Sequence, residues 1–218
     1  MDKKMIDKIR EGRQYRPISE TFRIASKSGE GVAEERIVEG HASTFGQAYT
    51  LYDDGEWRVD EQIDPHAFDE CDMEDVIFQY NHEGRVYART RNNTLEVKTD
   101  EIGLWCRADL GGTEAGRELF DEIKNGYTDR MSFGFTVKED KWEETYNSEN
   151  NTTLIMRTIT KVGKLYDVSA VSIPANDGTD ISARGFCDGV IAEIKAERLK
   201  REKTEALKAE CLELLGAK

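Results

Sequence analysis

The chain has 218 residues, 38% hydrophobic and 34% charged, which suits one core under a heavily solvated surface. Its 31 basic residues against 44 acidic ones give a formal charge of −13. That balance argues against a sequence-independent nucleic-acid binder, which needs cations to displace condensed counterions.

Residues 1–7 lack the apolar centre of an export signal, and no run approaches the roughly 18 apolar residues that span a bilayer. A cytoplasmic protein with no membrane partner is expected. Cys71, Cys106, Cys187 and Cys211 form no CxxC pair and show no metal-ligand spacing. Reduced thiols, no metal and no cofactor follow.

Residues 1–16 read as a short charged helix followed by a tail, ended by Pro17. From Thr21 the period falls to two. Phe22 and Ile24, then Ile37 and Val38, sit in strand-like runs around a polar turn at 28–35. Residues 40–45 read as a strand end or bend, 46–56 as a polar loop, and 57–63 as a strand. Asp64-Pro65 suits the start of a short helix anchored by Phe68. Strands follow at 75–82, 86–90, 94–99 and 104–110. The clearest internal helix is 113–125, capped by Thr113, stopped by Gly126, with Leu119, Phe120 and Ile123 inward. Residues 131–137 alternate strictly. A polar hairpin tip at 143–153 leads to strands at 154–162 and 165–173, and Pro174 ends the last. After a loop at 174–187, residues 188–215 form a long charged helix whose apolar positions leave a gap in the middle. Many short strands and few helices predict a mainly β (α+β) protein built on a closed or nearly closed β-barrel. The expected organisation is an arm at 1–18, a barrel domain at 19–187 and a helical extension at 188–218.

Three segments could carry chemistry. In Met131-Ser132-Phe133-Gly134-Phe135 the large side chains share one strand face, while Ser132 and Gly134 share the other. A hydroxyl beside a bare glycine suits a nucleophile approached by an extended peptide, and it equally suits plain strand packing. In Tyr80-Asn81-His82-Glu83-Gly84 a strand delivers His82 to a turn, where an imidazole can take a hydroxyl proton near neutral pH or stand solvated. Asp167, inside the apolar run 165–171, either pairs with the imidazole and fixes its tautomer or points to water from an edge. His41 and His66 read as ordinary surface residues.

These segments, in order, resemble the prohead proteases of tailed bacteriophages, serine proteases of capsid maturation related in fold to herpesvirus assemblin. Gly40-His41-Ala42-Ser43-Thr44-Phe45 resembles the family's Gly-x-Ala-x-x-Phe opening, and Ile63-Asp64-Pro65-His66-Ala67-Phe68 its Gly-Ala-Phe segment, with His66 where glycine is usual. The stretch from Thr94-Leu95 to Gly103-Leu104 is similar to the one that follows the Asn-His element in the family. Asn81-His82, the Ser132-Phe133-Gly134-Phe135 run, and Asp167-Val168-Ser169 with Pro174-Ala175 resemble its Asn-His, Ser-Phe-Gly-Phe and acid-Val-Ser…Pro-Ala elements. The resemblance covers about residues 35–185.

The resemblance implies a herpesvirus-protease-like barrel ringed by helices, a nucleophile at Ser132 and a base at His82. The third member is acidic in many relatives and histidine in the herpesvirus enzymes. Here no histidine follows Ser132, so Asp167 takes that place. Oxyanion or substrate contacts are implied at Gly134, in the loop at Pro174 and Ala175, and at Arg184. The implied substrates are scaffold protein, the scaffolding segment of the major capsid protein, and the protease itself, inside the assembling prohead in the host cytoplasm. A homodimer, the 188–215 helix as an anchor in the scaffold core, and the arm as a self-cleavage segment are further expectations. Two rivals stand beside this reading: a non-enzymatic β-barrel scaffold or assembly protein, and a cysteine-dependent hydrolase using Cys71 or Cys106. Asp72 and Glu74 beside Cys71 disfavour a thiolate.

Overall fold

A computed structural model describes residues 12–25, 36–172, 181–214 and 216. Among these, two sheets carry the fold. In the larger, seven-stranded sheet, β1 (Gln14–Thr21), β10 (Arg130–Asn147), β11 (Thr152–Val171), β5 (Trp57–Ile63) and β4 (Tyr49–Asp53) lie side by side. β6 (Ile77–Tyr80) pairs with β11, and β7 (Glu83–Arg89) pairs with β6. The four-stranded sheet has the order β2 (Arg23–Ala25), β3 (Ile37–Thr44), β9 (Gly103–Asp109) and β8 (Leu95–Thr99).

The long hairpin of β10 and β11 is the spine. Its alternation drives Met131, Phe133 and Phe135 into one core with Phe78 and Val168 of the same sheet and Val38, Leu104 and Ala108 of the other. Helix α1 (Glu114–Lys124) adds Leu119, Phe120 and Ile123. Thr113 caps it by accepting from Gly116 N, and Gly126 ends it at φ +76°.

The sheets do not close into the predicted barrel. β11 shares one edge between two parallel partners, β5 along 153–159 and β6 along 167–170. Pairing therefore branches at β11 instead of returning to β1. The rest of the mainly β expectation holds, with local corrections, the first being that the hairpin tip expected at 143–153 shortens to 148–151 because β10 and β11 stay paired alongside it. Residues 14–16, read as the end of a helix and tail, belong to β1, and Pro17 lies within that strand at the sheet edge, where a missing N–H is tolerated. Residues 1–11 of that expected helix lie outside the described residues. Residues 49–53, read as loop, form β4. The helix expected after Pro65 is a series of turns, in which Ala67 N donates to Asp64 O and Cys71 N to Phe68 O, though Phe68 is buried as expected. The two strands expected at 154–162 and 165–173 are one, β11, kept paired with β10 by register shifts.

The C-terminal helix α2 (Ile181–Leu214) starts earlier than expected. Cys187, Val190, Ile191 and Ile194 pack on Leu51, Trp57, Val59 and Ile155 in a second core, whereas Leu199, Leu207 and Leu212 are exposed. No helix among the described residues is long and apolar enough to cross a membrane.

A buried charge network ties β1 to the sheet. The Arg16 guanidinium donates to Glu61 at 2.5 and 3.0 Å, Arg157 donates to the same carboxylate at 2.7 Å, and Tyr49 donates its hydroxyl at 2.5 Å. Burial pushes the Glu61 carboxyl up, but the two guanidiniums and their hydrogen bonds outweigh it and hold the group at about 2.

Candidate active site

Cross-strand partners share a face of the sheet, so register decides which side chains meet. Ser132 of β10 lies opposite Ser169 of β11 and Pro17 of β1. One step along, Gly134 lies opposite Asp167 and Tyr15. The opposite face carries Met131, Phe133 and Phe135 into the core, with the two phenyl rings stacked 4.5 Å apart. The hydroxyl is thus mounted on a strand whose other face is locked by packing.

His82 comes from the two-residue turn joining β6 to β7. Asn81 and His82 have φ of 50° and 60°, the left-handed pair that a tight hairpin turn requires and that Asn and His tolerate better than most residues. The turn is pinned to β11: Asn81 N donates to Ala170 O at 2.9 Å, Ser172 N donates to Asn81 Oδ1 at 3.2 Å, and the Tyr80 and Ser172 hydroxyls are bonded. The imidazole therefore has a fixed position over β10 and β11.

The three sequence-predicted residues Ser132, His82 and Asp167 meet there. His82 Nε2 lies 2.6 Å from Ser132 Oγ, and His82 Nδ1 lies 2.5 Å from Asp167 Oδ2. An ionised carboxylate only accepts, so Nδ1 carries the hydrogen and Nε2 presents its lone pair to the serine hydroxyl. Asp167 Oδ2 also accepts from the Ser169 hydroxyl at 2.7 Å. Asp167 is fully buried and Ser132 is 2% exposed, whereas the His82 side chain keeps 15% of its surface. Such a chain can move a proton off a hydroxyl and stabilise the resulting cation.

Sequence reasoning missed the contribution of β1 and of Arg13 just ahead of it. Arg13 forms an ion pair with Asp167 Oδ1, and its guanidinium lies 4.6 Å from the centre of the Tyr166 ring. The Tyr15 ring packs 4.3 Å from the His82 ring, centre to centre. Arg13 and Asp167 are 154 positions apart, and no motif links them.

At Gly134 a Cβ would stand 2.3 Å from Asp167 Oδ1 and 2.9 Å from Arg13 Nε, so the space this glycine leaves is taken by that pair. Pro174 and Ala175 lie outside the described residues. Arg184 lies in the first turn of α2, and its side chain is likewise outside them.

The other candidates stand elsewhere. His41 Nε2 meets Asp100 at 2.8 Å and His66 Nδ1 meets Asp69 at 3.1 Å. All four cysteines are free. Burial pushes the Cys106 thiol up to about 12, and burial with Asp72 nearby does the same to Cys71. Both are poor thiolates, which weighs against the cysteine-dependent rival.

Comparison with known proteins gives three findings. The structure is similar to that of the bacteriophage T4 capsid assembly protease, gp21, at 12% identity and a TM-score of 0.41, over 73% of this chain and 96% of that one. No curated protein matches. The family model for the caudovirus prohead serine protease matches residues 22–189, most of the chain and the segment that holds Ser132, His82 and Asp167. The chain belongs to the caudovirus prohead serine protease family, whose members are peptide-bond hydrolases of capsid maturation.

Proposed function

We propose that Ser132 is the nucleophile, His82 the general base and acid, and Asp167 the group that orients His82. The single observation that supports it is the Ser132–His82–Asp167 chain, with both imidazole nitrogens at 2.5–2.6 Å from their partners. Ser132 Oγ attacks the scissile carbonyl as its proton passes to Nε2. The amine leaves with that proton, and water then releases the acyl group from the serine. The negative charge on Asp167 stabilises the imidazolium formed on the way.

The substrates we propose are scaffold protein, the scaffolding segment of the major capsid protein and the chain itself, cleaved inside the prohead in the host cytoplasm. Family membership supports these. The earlier resemblance to assemblin supports a homodimer, and oxyanion donors from the loop after Pro174, with Arg184 near it.

The test uses purified chain and a capsid precursor. Wild type should cut the precursor, and Ser132→Ala should leave it intact by mass. Equal cutting by both would remove Ser132 from the reaction. A wild-type chain that cuts nothing and takes no covalent fluorophosphonate label would favour the non-enzymatic rival.

A further inference from the structure

β1 lies ahead of the segment that the family model matches, yet it reaches the centre of the site. We propose that Arg13 is a positioning residue for the proton relay, fixing Asp167 in the orientation that His82 needs. The proposal rests on the assignment of Ser132, His82 and Asp167 above.

Three observations carry it. First, the two oxygens of Asp167 are divided: Oδ1 takes Arg13, and Oδ2 takes His82 Nδ1 and the Ser169 hydroxyl. A fully buried carboxylate is costly unless paired, and before proton transfer the imidazole is neutral and offers no charge. Arg13 supplies that charge permanently. It also holds Oδ1, so that Oδ2 cannot rotate away from Nδ1.

Second, Arg13 reaches Asp167 across the intervening strand β10, through the gap left at Gly134, where a Cβ would crowd both partners. Third, the approach is rigid. Arg16 is locked on Glu61, the guanidinium of Arg13 lies against the Tyr166 ring, and the Tyr15 ring backs the imidazole. Among the described residues, the charged and polar groups facing the imidazole and its acid are Arg13 just ahead of β1, Tyr15 from β1, Ser132 from β10, and Asp167 with Ser169 from β11.

The experiment reads Ser132 directly with diisopropyl fluorophosphate, so it needs no knowledge of the cleavage site. The serine oxygen bonds to phosphorus, the P–F bond breaks, fluoride leaves and the proton passes to His82. Labelling rates of the full chain are measured by intact mass from about pH 5 to about pH 9, a window that brackets imidazole titration. Arg13→Gln should label about tenfold to a hundredfold more slowly, the size of a geometric fault at a reacting centre. Its acid limb should move to higher pH, because removing a cation beside the relay favours protonated imidazole. Arg13→Lys should fall between it and wild type. In Asp167→Asn, adding Arg13→Gln should slow labelling no further.

Arg13→Gln labelled at the wild-type rate with an unmoved acid limb overturns the proposal, and so does faster labelling, which would make β1 a cover over the serine. If Arg13→Gln loses its near-ultraviolet circular dichroism, Arg13→Lys carries the test: several-fold slower labelling supports positioning, and the wild-type rate overturns it. Ser132→Ala is run in parallel. Label on that variant defeats the nucleophile assignment itself, whereas a blank Ser132→Ala beside an unaffected Arg13→Gln defeats only the role of Arg13.

Discussion

Ser132 and His82 stand 50 positions apart in the chain and 2.6 Å apart in space; each was a candidate from its own neighbourhood, and the family resemblance supplied its role. The alternation around Ser132 and the apolar run leading to His82 are local patterns, readable without knowing what they face. Asp167 stood out as an acid in an apolar strand and the resemblance paired it with His82; its contacts with Ser169 and Arg13 came from the tertiary structure. Arg13 was illegible, because its contact depends on β1 lying beside β10 and on the gap at Gly134. If Asp167 sets the imidazole tautomer, Asp167→Asn should slow fluorophosphonate labelling by about 10⁴ at neutral pH, the cost of presenting the wrong nitrogen. A loss of less than tenfold would show that His82 keeps its orientation without the carboxylate. At the thiols, iodoacetamide at neutral pH should modify exposed Cys211, spare Cys106 and leave the labelling rate of Ser132 unchanged. Peptide mapping reads the sites, and a rate that falls with alkylation would revive a cysteine-dependent mechanism.

At the scale of elements, strict alternation and capping were reliable guides. α1 formed where the sequence predicted it, with Thr113 and Gly126 at its ends, and β10 began where predicted but ran on to Asn147, past the expected end at 137 and into the expected hairpin tip. Errors fell where tertiary pairing overrode a weak local signal. The polar segment at 49–53 became a strand because β5 offers it an edge, and Pro17 entered β1 because that strand is itself an edge. The buried Glu61 network that holds β1 has a pH signature. Its carboxyl sits at about 2 in the fold against about 4.3 in an unfolded chain, so its stabilisation is complete above the unfolded value and is lost as pH falls toward 2. Glu61→Gln leaves Arg16 and Arg157 without their shared carboxylate, and it should cost about 3–5 kcal/mol at pH 7. The gap between wild type and variant should narrow as the buffer is taken from about pH 4.5 toward about pH 2. Denaturant melts at several pH values check this, and a gap independent of pH would mean that the network contributes no charge coupling.

For the whole molecule, β1 is structurally part of the enzyme, although its sequence reads as an appended arm. Arg13, Tyr15 and Arg16 each bind a group on the main body. Self-cleavage of the arm, expected from the resemblance, should therefore spare residue 13 onward. The N-terminal mass of the enzyme recovered from mature particles checks this, and a fully active mature chain that starts beyond Arg16 would show that β1 is dispensable.

The amino-acid sequence by itself determined a mainly β chain, the serine, histidine and acid to examine, and the family, because alternation, turn chemistry and short ordered motifs are local properties of a chain. Tertiary structure alone decided that the sheets stay open, that α2 seats its first half on β4 and β5, and that a strand ahead of the matched segment completes the site. Those outcomes depend on which strand edges remain free once the long hairpin has formed, and on where a buried charge finds its partner. Both are set by contacts between residues 90 to 154 positions apart.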